Sequence, residues 1–195
     1  MDEKQIFQVY KNDNLVYPNL KLDLMGLYQK KNVITVLQSI ELLKNKGFNI
    51  DNDSIYSGFE NAITITGFKG RWQTLGHNPR IICDTGHNEA GIEEVIKQIE
   101  TIPYKKLHFV FGVVDDKSID SILGMLPIKA TYYFCKANIP RALDQNLLKQ
   151  KAELFGLRGN SYQTVELALS SAKQNAQNED FIFIGGSTFV VAEIC

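Results

Sequence analysis

Several features that mark specialised classes of protein are scarce or missing in this sequence of 195 residues. The formal net charge is −1, so no excess of positive charge favours nucleic acid or an anionic membrane surface. No apolar run approaches the roughly 20 residues that span a bilayer, and the first residues lack the basic and apolar segments of a signal peptide. We therefore expect a soluble, cytoplasmic monomer that binds neither nucleic acid nor membranes.

Cysteine is also sparse. The chain has three cysteines, Cys83, Cys135 and Cys195, without Cys-x-x-Cys spacing or nearby histidines at the spacing of metal ligands. Cys83 and Cys135 lie in apolar runs typical of strands, so both are predicted to be buried, inert thiols. His108 lies in a similar run and is predicted to be a hydrogen-bonded strand-end histidine.

Two familiar nucleotide-binding motifs are absent. The sequence contains no Gly-x-x-x-x-Gly-Lys-Ser/Thr, so the chain has no P-loop of its own to hold a triphosphate. It contains no Gly-x-Gly-x-x-Gly for a dinucleotide either. A nucleotide site in this chain must therefore use other groups.

What the sequence does contain, after about residue 70, is a regular alternation of strand and helix patterns. Continuous apolar strands are predicted at residues 80–84, 107–112, 131–135 and 181–184, with a weaker candidate at 158–162. Amphipathic helices are predicted between them. This order favours an α/β fold in which a mostly parallel sheet has helices on both faces. The carboxyl ends of the strands would then share one crevice.

The first third of the chain has a different pattern. Alternating apolar residues between 6 and 24, broken at 12–14, predict two or three short antiparallel strands. Apolar residues at helical spacing over 33–43 predict a helix that ends near Gly47, and a shorter helix is predicted over 54–62. The glycine-containing stretch 67–70 predicts a hinge-like loop, which divides the chain into residues 1–68 and 69–195.

Polar groups follow the first strand of the second part. Asp84 ends this strand, and a glycine turn carrying His87 leads to a helix that opens with acidic residues. A strand-end carboxylate can accept hydrogen bonds from ribose hydroxyls, while an imidazole and helix N–H groups suit anions. A turn or helix-capping role for Asp84 explains the same position. Arg71, in the linker, is either a solvated or interface charge or a phosphate clamp.

Other strand ends carry polar groups as well. Lys117 follows the second strand and is either solvated or a partner for a carboxylate or phosphate. Arg141 follows the third strand. Ser187 follows two glycines after the last strong strand, where it can donate to a carboxylate or simply cap a tight turn. Polar groups at four strand ends form a stronger signal than any single motif.

Six short patterns occur in order along the chain. They are Gly-x-x-Gln-x-x-Asn (26–32), Lys-Gly-Arg (69–71), Asp-x-Gly-His-Asn-Glu (84–89), Gly-x-x-x-Asp-Lys-Ser (112–118), Pro-Arg-Ala (140–142) and Gly-Ser-x-Phe-x-x-x-Glu (186–193). Together they resemble the C-terminal portion of folylpolyglutamate synthase / dihydrofolate synthase, a member of the Mur ligase superfamily. The resemblance covers essentially the whole chain.

The resemblance implies that residues 1–68 are the C-terminal part of a central ATP-binding domain and that 69–195 form a Rossmann-like C-terminal domain. In such ligases ATP phosphorylates the terminal carboxylate of dihydropteroate or a folate. The amine of L-glutamate then attacks the acyl phosphate and releases ADP and phosphate. Mg²⁺ and protein cations offset the negative charge.

Site residues follow from the resemblance position by position. Gln29 and Asn32 would lie beside the adenine, Asp84 beside the ribose hydroxyls, and Arg71 and His87 towards the phosphates. These five residues are the ATP-binding residues that the resemblance implies.

Lys117 and Ser187 would hold the carboxylates of the incoming glutamate. The family pattern has a histidine where this chain has Tyr28, so no role is carried over to that position. The P-loop and the Mg²⁺ ligands are expected in an N-terminal part outside this chain, and the chain alone is predicted to lack ligase activity.

Two other functions remain open at this point. A peptidoglycan-precursor ligase shares the superfamily fold and the acyl-phosphate chemistry, but joins amino acids to a nucleotide-linked sugar. A non-enzymatic, nucleotide-binding Rossmann-like module would also explain polar groups at strand ends. The Gly-x-x-Gln-x-x-Asn pattern and the terminal Gly-Ser-Thr-Phe favour the folate enzyme.

Overall fold

The chain folds into two compact units. A computed structural model describes residues 4–115 and 119–195. The units comprise Met1–Lys69 and Gly70–Cys195. Each has a hydrophobic core of its own.

A β-hairpin opens the first unit. Strand β1 (Gln5–Lys11) pairs antiparallel with β2 (Asn14–Leu22). Asn12 and Asp13 connect the strands with φ angles of 49° and 62°. Two left-handed residues in a two-residue loop are typical of a type I′ turn, whose twist matches that of the strands. The predicted antiparallel strands are therefore confirmed, as two strands rather than three.

Three helices follow the hairpin. Helix α1 (Gln29–Asn45) ends just before Gly47, as predicted, but begins earlier than its apolar pattern indicated. Helix α2 (Asn52–Glu60) is capped by Asp51, and the short α3 (Ala62–Thr66) was not predicted. The helices and the hairpin share a core made of Val9, Leu20, Leu22, Val33, Ile55 and Phe59.

The second unit contains a six-stranded sheet in the order β3-β4-β8-β5-β6-β7. Its strands are β3 (Gln73–His77), β4 (Arg80–Cys83), β5 (Leu107–Phe111), β6 (Thr131–Cys135), β7 (Arg158–Tyr162) and β8 (Phe181–Gly185). All five predicted strands are present and pair in parallel. The edge strand β3 is antiparallel to β4 and was not predicted.

Helices flank this sheet. They are α4 (Glu89–Glu100), α5 (Ile119–Met125), α6 (Gln145–Glu153), α7 (Val165–Asn175) and α8 (Thr188–Ala192). Val110 of β5 and Ile184 of β8 share a hydrophobic core with Ala168 of α7 and Val190 of α8. The predicted Rossmann-like α/β architecture is therefore confirmed. Among the described residues, no helix combines the length and apolar character needed to cross a membrane.

His108 lies at the amino-terminal end of β5, opposite the strand ends that carry the candidate site. Its Nδ1 lies 2.9 Å from the Tyr133 hydroxyl, and its Nε2 lies 3.3 Å from Oδ2 of Asp180. All three side chains are buried. The prediction of a hydrogen-bonded strand-end histidine is confirmed.

The strand order decides which loops become neighbours. Strands β4, β8, β5 and β6 are adjacent, and their carboxyl ends align in the pairs Cys83↔Ile184, Phe111↔Gly185 and Phe111↔Phe134. The polar groups that follow β4 and β8 therefore lie at the same edge of the sheet, although they are about 100 positions apart in the sequence.

Candidate functional site

Asp84 anchors the turn that follows β4. Its carboxylate accepts hydrogen bonds from the backbone N–H of Trp72 at 2.7 Å and of Gly86 at 2.8 Å. The residue is only 2% exposed. Asp84 thus joins the linker loop to the strand-end turn, which agrees with the turn role that the sequence left open. It does not cap the following helix.

Asn88 is the residue that caps helix α4. Its side-chain oxygen accepts the backbone N–H of Gly91 at 2.8 Å, and the helix begins at Glu89. An acidic residue in the first turn complements the partial positive charge of the helix N-terminus. The predicted helix start, directly after His87, is confirmed.

The loop before β3 has an unusual backbone. Gly70 and Trp72 have φ angles of 74° and 47°. A left-handed conformation is strained for a bulky residue such as Trp72 and persists only where its surroundings hold it. Here the Asp84 carboxylate binds the Trp72 N–H, and the indole packs on Phe183 with ring centroids 5.8 Å apart. This loop carries Arg71 between the two left-handed residues, of which only Trp72 is strained.

Arg71 and His87 are the two basic groups near this anchor. Arg71 is half-buried and donates from Nη1 to the carbonyl of Gly70 at 3.3 Å. His87 is exposed, and its Nδ1 lies 3.0 Å from the Thr85 carbonyl. Because a carbonyl only accepts, Nδ1 carries a proton in this arrangement. The neutral ring therefore presents Nε2 as an acceptor, and the charged ring presents it as a donor.

The turn after β8 is closely packed. Gly186 has a φ of 95°, and a side chain there would meet the Phe111 ring at 2.5 Å and the Gly112 carbonyl at 2.7 Å. Ser187 is 2% exposed and accepts the N–H of Phe189 at 3.1 Å. The capping role that the sequence left open is therefore present. The serine hydroxyl keeps its own proton, which it can donate elsewhere.

Gln29 and Asn32 lie on the first turn of α1, in the first unit. Asn32 Nδ2 donates to Gln29 Oε1 at 2.8 Å, which leaves a donor on Gln29 and an acceptor on Asn32 for a further partner. Both residues line a cavity of about 340 Å³ whose other walls are mostly apolar. These walls are formed by Leu22, Leu24, Val33, Val36, Ile40, Ile50, Ser54, Ile55, Gly58, Phe59 and Ala62. Apolar walls with a few polar groups are typical of small-molecule sites.

The remaining candidates have different outcomes. Lys117 lies outside the described residues. The Arg141 guanidinium lies 4.8 Å from the centroid of the Phe189 ring, a cation–π contact that the sequence did not predict. Glu193, the last residue of the terminal pattern, accepts the backbone N–H of Asn138 at 2.5 Å and so holds the loop after β6.

The structure thus brings Arg71, Asp84 and His87 together around one turn, and Ser187 follows the neighbouring strand. Gln29 and Asn32 form a separate pair in the first unit.

Within residues 4–115 and 119–195, no group of three His, Cys, Asp or Glu side chains is placed to hold a metal ion. The sequence did not predict the left-handed backbone of Trp72, because no neighbouring residue in the sequence indicates that a tryptophan adopts a positive φ.

Comparison with known proteins supports these assignments of fold. A probable bifunctional folylpolyglutamate synthase/dihydropteroate synthase of Haloferax volcanii is 30% identical over 178 residues, which are 90% of this chain and 20% of that protein. The dihydrofolate synthase/folylpolyglutamate synthase of Escherichia coli K12 is 27% identical over 172 residues, which are 87% of this chain and 38% of that protein.

A solved structure gives the same result. The folylpolyglutamate synthase of Mycobacterium tuberculosis, complexed with ADP and AMPPCP, superposes with a TM-score of 0.77 at 27% identity and covers 92% of this chain and 42% of that one. The chain therefore spans between a fifth and about two fifths of the length of these proteins. Residues 70–188 match the family described as Mur ligase, glutamate ligase domain, and the chain belongs to that family.

Proposed function

We propose that this chain is the C-terminal part of an ATP-dependent ligase that adds L-glutamate to dihydropteroate or to a folylpolyglutamate. The observation that carries the proposal is the cluster of Arg71, Asp84 and His87 around the turn after β4, in a chain of the Mur ligase family. In this proposal residues 1–68 belong to a central ATP-binding domain, and 69–195 form the glutamate ligase domain.

The proposed reaction has two steps. The γ-phosphoryl group of ATP transfers to the terminal carboxylate of the pterin substrate, which gives an acyl phosphate and ADP. The amine of L-glutamate then attacks the acyl carbon, an amide bond forms, and phosphate leaves. Negative charge accumulates on the phosphoryl oxygens, so the Arg71 guanidinium and the His87 imidazole would stabilise it.

The nucleoside would be held by other groups. The donor on Gln29 and the acceptor on Asn32 complement the acceptor and donor on an adenine edge, and the apolar cavity beside them accommodates a flat ring. Asp84 would bind the ribose hydroxyls through its carboxylate. Because Asp84 is only 2% exposed, the neighbouring loop must move for a hydroxyl to reach it.

For the incoming glutamate, the proposal uses Ser187 and Lys117. The Ser187 oxygen already accepts a backbone N–H, so its hydroxyl proton is the group available to a carboxylate. Lys117 would add the positive charge that a carboxylate prefers.

The surface of the first unit supports the view that more of the ATP-binding domain covers it. Among the described residues, 13 of the 18 exposed large hydrophobic side chains lie in this unit, including Ile34, Leu42 and Ile65. Exposed apolar patches of this kind mark interaction surfaces. We propose that the P-loop portion of the central domain packs on this unit and covers some of these side chains.

Measuring ADP release tests the function. The chain alone, mixed with ATP, Mg²⁺, L-glutamate and a reduced folate, should release no ADP above background. Addition of the P-loop portion from the same organism, fused upstream or as a separate polypeptide, should give ADP and phosphate that depend on both glutamate and the pterin substrate. Turnover with a peptidoglycan nucleotide-sugar precursor instead, or steady ADP release by the chain alone, would contradict the proposal.

A matched pair of variants tests the site. In the active assembly, Arg71→Lys should lower kcat/KM for ATP about tenfold or more, because lysine cannot make a bidentate contact with phosphate. Arg158→Lys, at the exposed amino-terminal end of β7, is the control and should leave kcat/KM unchanged. Equal effects of the two substitutions would remove Arg71 from the proposed site.

A further inference from the structure

Two of the three cysteines are in contact. The Sγ atoms of Cys83 and Cys195 lie 3.3 Å apart, although the residues are 112 positions apart in the sequence. Cys83 is the last residue of β4 and is fully buried, whereas Cys195 is half-buried. The prediction that Cys83 is buried is confirmed, but its thiol has a partner that the sequence did not indicate.

The hydrogen bonds around this pair have a definite direction. Cys195 Sγ lies 3.5 Å from Oε1 of Gln73, an atom that can only accept. The single proton of Cys195 therefore points to Gln73, and the proton of Cys83 points to the Cys195 sulfur. Gln73 Oε1 also accepts the backbone N–H of Gly70 at 2.8 Å. The thiol pair is thus connected to the loop that carries Arg71.

We propose that Cys83 and Cys195 form a reversible intramolecular disulfide when hydrogen peroxide oxidises the protein. A disulfide has an S–S distance of about 2.05 Å, so the two sulfurs need to approach by only about 1.3 Å. The residues lie in the same compact unit, and both thiols are free. The proposal for disulfide formation does not depend on the ligase function.

The chemistry assigns different roles to the two sulfurs. Burial, and then the neighbouring Cys195 thiol, raise the pKa of Cys83, so Cys83 is a poor first nucleophile. The half-buried Cys195 loses its proton and attacks one oxygen of hydrogen peroxide. The O–O bond breaks, a sulfenic acid forms, and the departing hydroxide takes up that proton to give water. The Cys83 sulfur then attacks the Cys195 sulfur, and the displaced hydroxide takes the Cys83 proton. In total two thiols and one peroxide give one disulfide and two waters.

Oxidation would also change the loop next to the pair. Once the disulfide forms, Cys195 has no proton to donate, and Gln73 loses one of its two donors. We expect Gln73 to reorient and the Gly70 N–H to exchange faster with solvent. Any effect of this change on the ligase reaction rests on the proposed function.

Mass spectrometry of the full chain tests the proposal. After treatment with hydrogen peroxide, we expect an intact mass lower by two hydrogen atoms, a peptide pair linking Cys83 to Cys195, and full reversal by dithiothreitol. Cys195→Ser should abolish this change, and Cys135→Ala, the matched control, should keep it. Hydrogen exchange should show less protection at Gly70 in the oxidised protein.

Three results would overturn the proposal. They are an absence of linked Cys83–Cys195 peptide in the treated wild-type chain, Cys195 found only as sulfinic or sulfonic acid, and disulfides formed only between two chains. The peptide map uses the wild-type protein, so it decides the question even if a variant fails to fold. A ligase assay that fails while the linked peptide is present would count against the proposed function and not against the disulfide.

Discussion

The substitution Asp84→Asn separates the structural role of this carboxylate from any role in binding. Asp84 is buried and accepts the N–H groups of Trp72 and Gly86 with its two oxygens. Asparagine has the same shape but only one oxygen, so its NH₂ group would face one of these N–H donors. One buried N–H would then lose its partner, and the other would lose a charged acceptor.

The expected cost follows from these two losses. A hydrogen bond to a charged group contributes about 1.5–3 kcal/mol, and an unsatisfied buried donor costs about 1–3 kcal/mol. Because the two effects overlap, we expect Asp84→Asn to reduce the free energy of unfolding by about 2–4 kcal/mol. This is a large fraction of the 5–15 kcal/mol that is typical of a domain, by order of magnitude.

Urea denaturation followed by tryptophan fluorescence measures the free energy of unfolding of the second compact unit, to which Asp84 belongs. Trp72 is the single tryptophan of the chain and belongs to the loop that Asp84 holds. The control is Asp144→Asn. Asp144 also accepts two backbone N–H groups, but it is an exposed helix N-cap, where asparagine and aspartate are equivalent to within a few tenths of a kcal/mol.

The comparison has a clear negative result. If Asp84→Asn costs no more than Asp144→Asn, burial and the two backbone hydrogen bonds do not make Asp84 a structural anchor. In that case the carboxylate would be available for a ligand, and a weaker affinity for ATP with unchanged stability would be its expected signature.

Two other predictions concern packing and acid stability in the second unit. Gly186→Ala should lower the melting temperature far more than Gly156→Ala. Both glycines have a left-handed φ, but only at Gly186 would the added methyl group lie within 3 Å of other atoms. Equal shifts in melting temperature would contradict this prediction. Burial alone would raise the pKa of Asp180, but hydrogen bonds from Gln177 and His108 outweigh it and lower that pKa below its ordinary value. A carboxyl with a lowered folded-state pKa stabilises the fold above its unfolded pKa, and this contribution disappears as pH falls through the folded pKa. Asp180→Asn should therefore weaken the loss of stability on acidification, and an unchanged profile in acid denaturation would show that Asp180 does not contribute.

Much of the fold followed from local patterns. Four of the five parallel strands, β4, β5, β6 and β8, are mainly apolar runs, which are typical of strands buried on both faces. Strand β7 (Arg158–Tyr162) is polar and lies at the edge of the sheet, so its signal was weaker. Strand β3 was not predicted because Gln73–His77 is an edge strand that contains a glycine and few apolar residues. Helix α1 begins earlier than its apolar pattern indicated because its first turn, Gln29–Asn32, contains only polar residues.

The sequence by itself determined the class of the sheet, the order of its elements, the family and the identity of the candidate residues, since each of these depends on residue type and spacing. Only the tertiary structure decided how those residues are used. It buried Asp84 against the backbone of Trp72, placed Ser187 as a helix cap, and brought Cys195 to within 3.3 Å of Cys83. The physical reason is that burial, hydrogen bonds and sulfur contacts depend on which segments the fold places side by side, and a local sequence pattern does not contain that information.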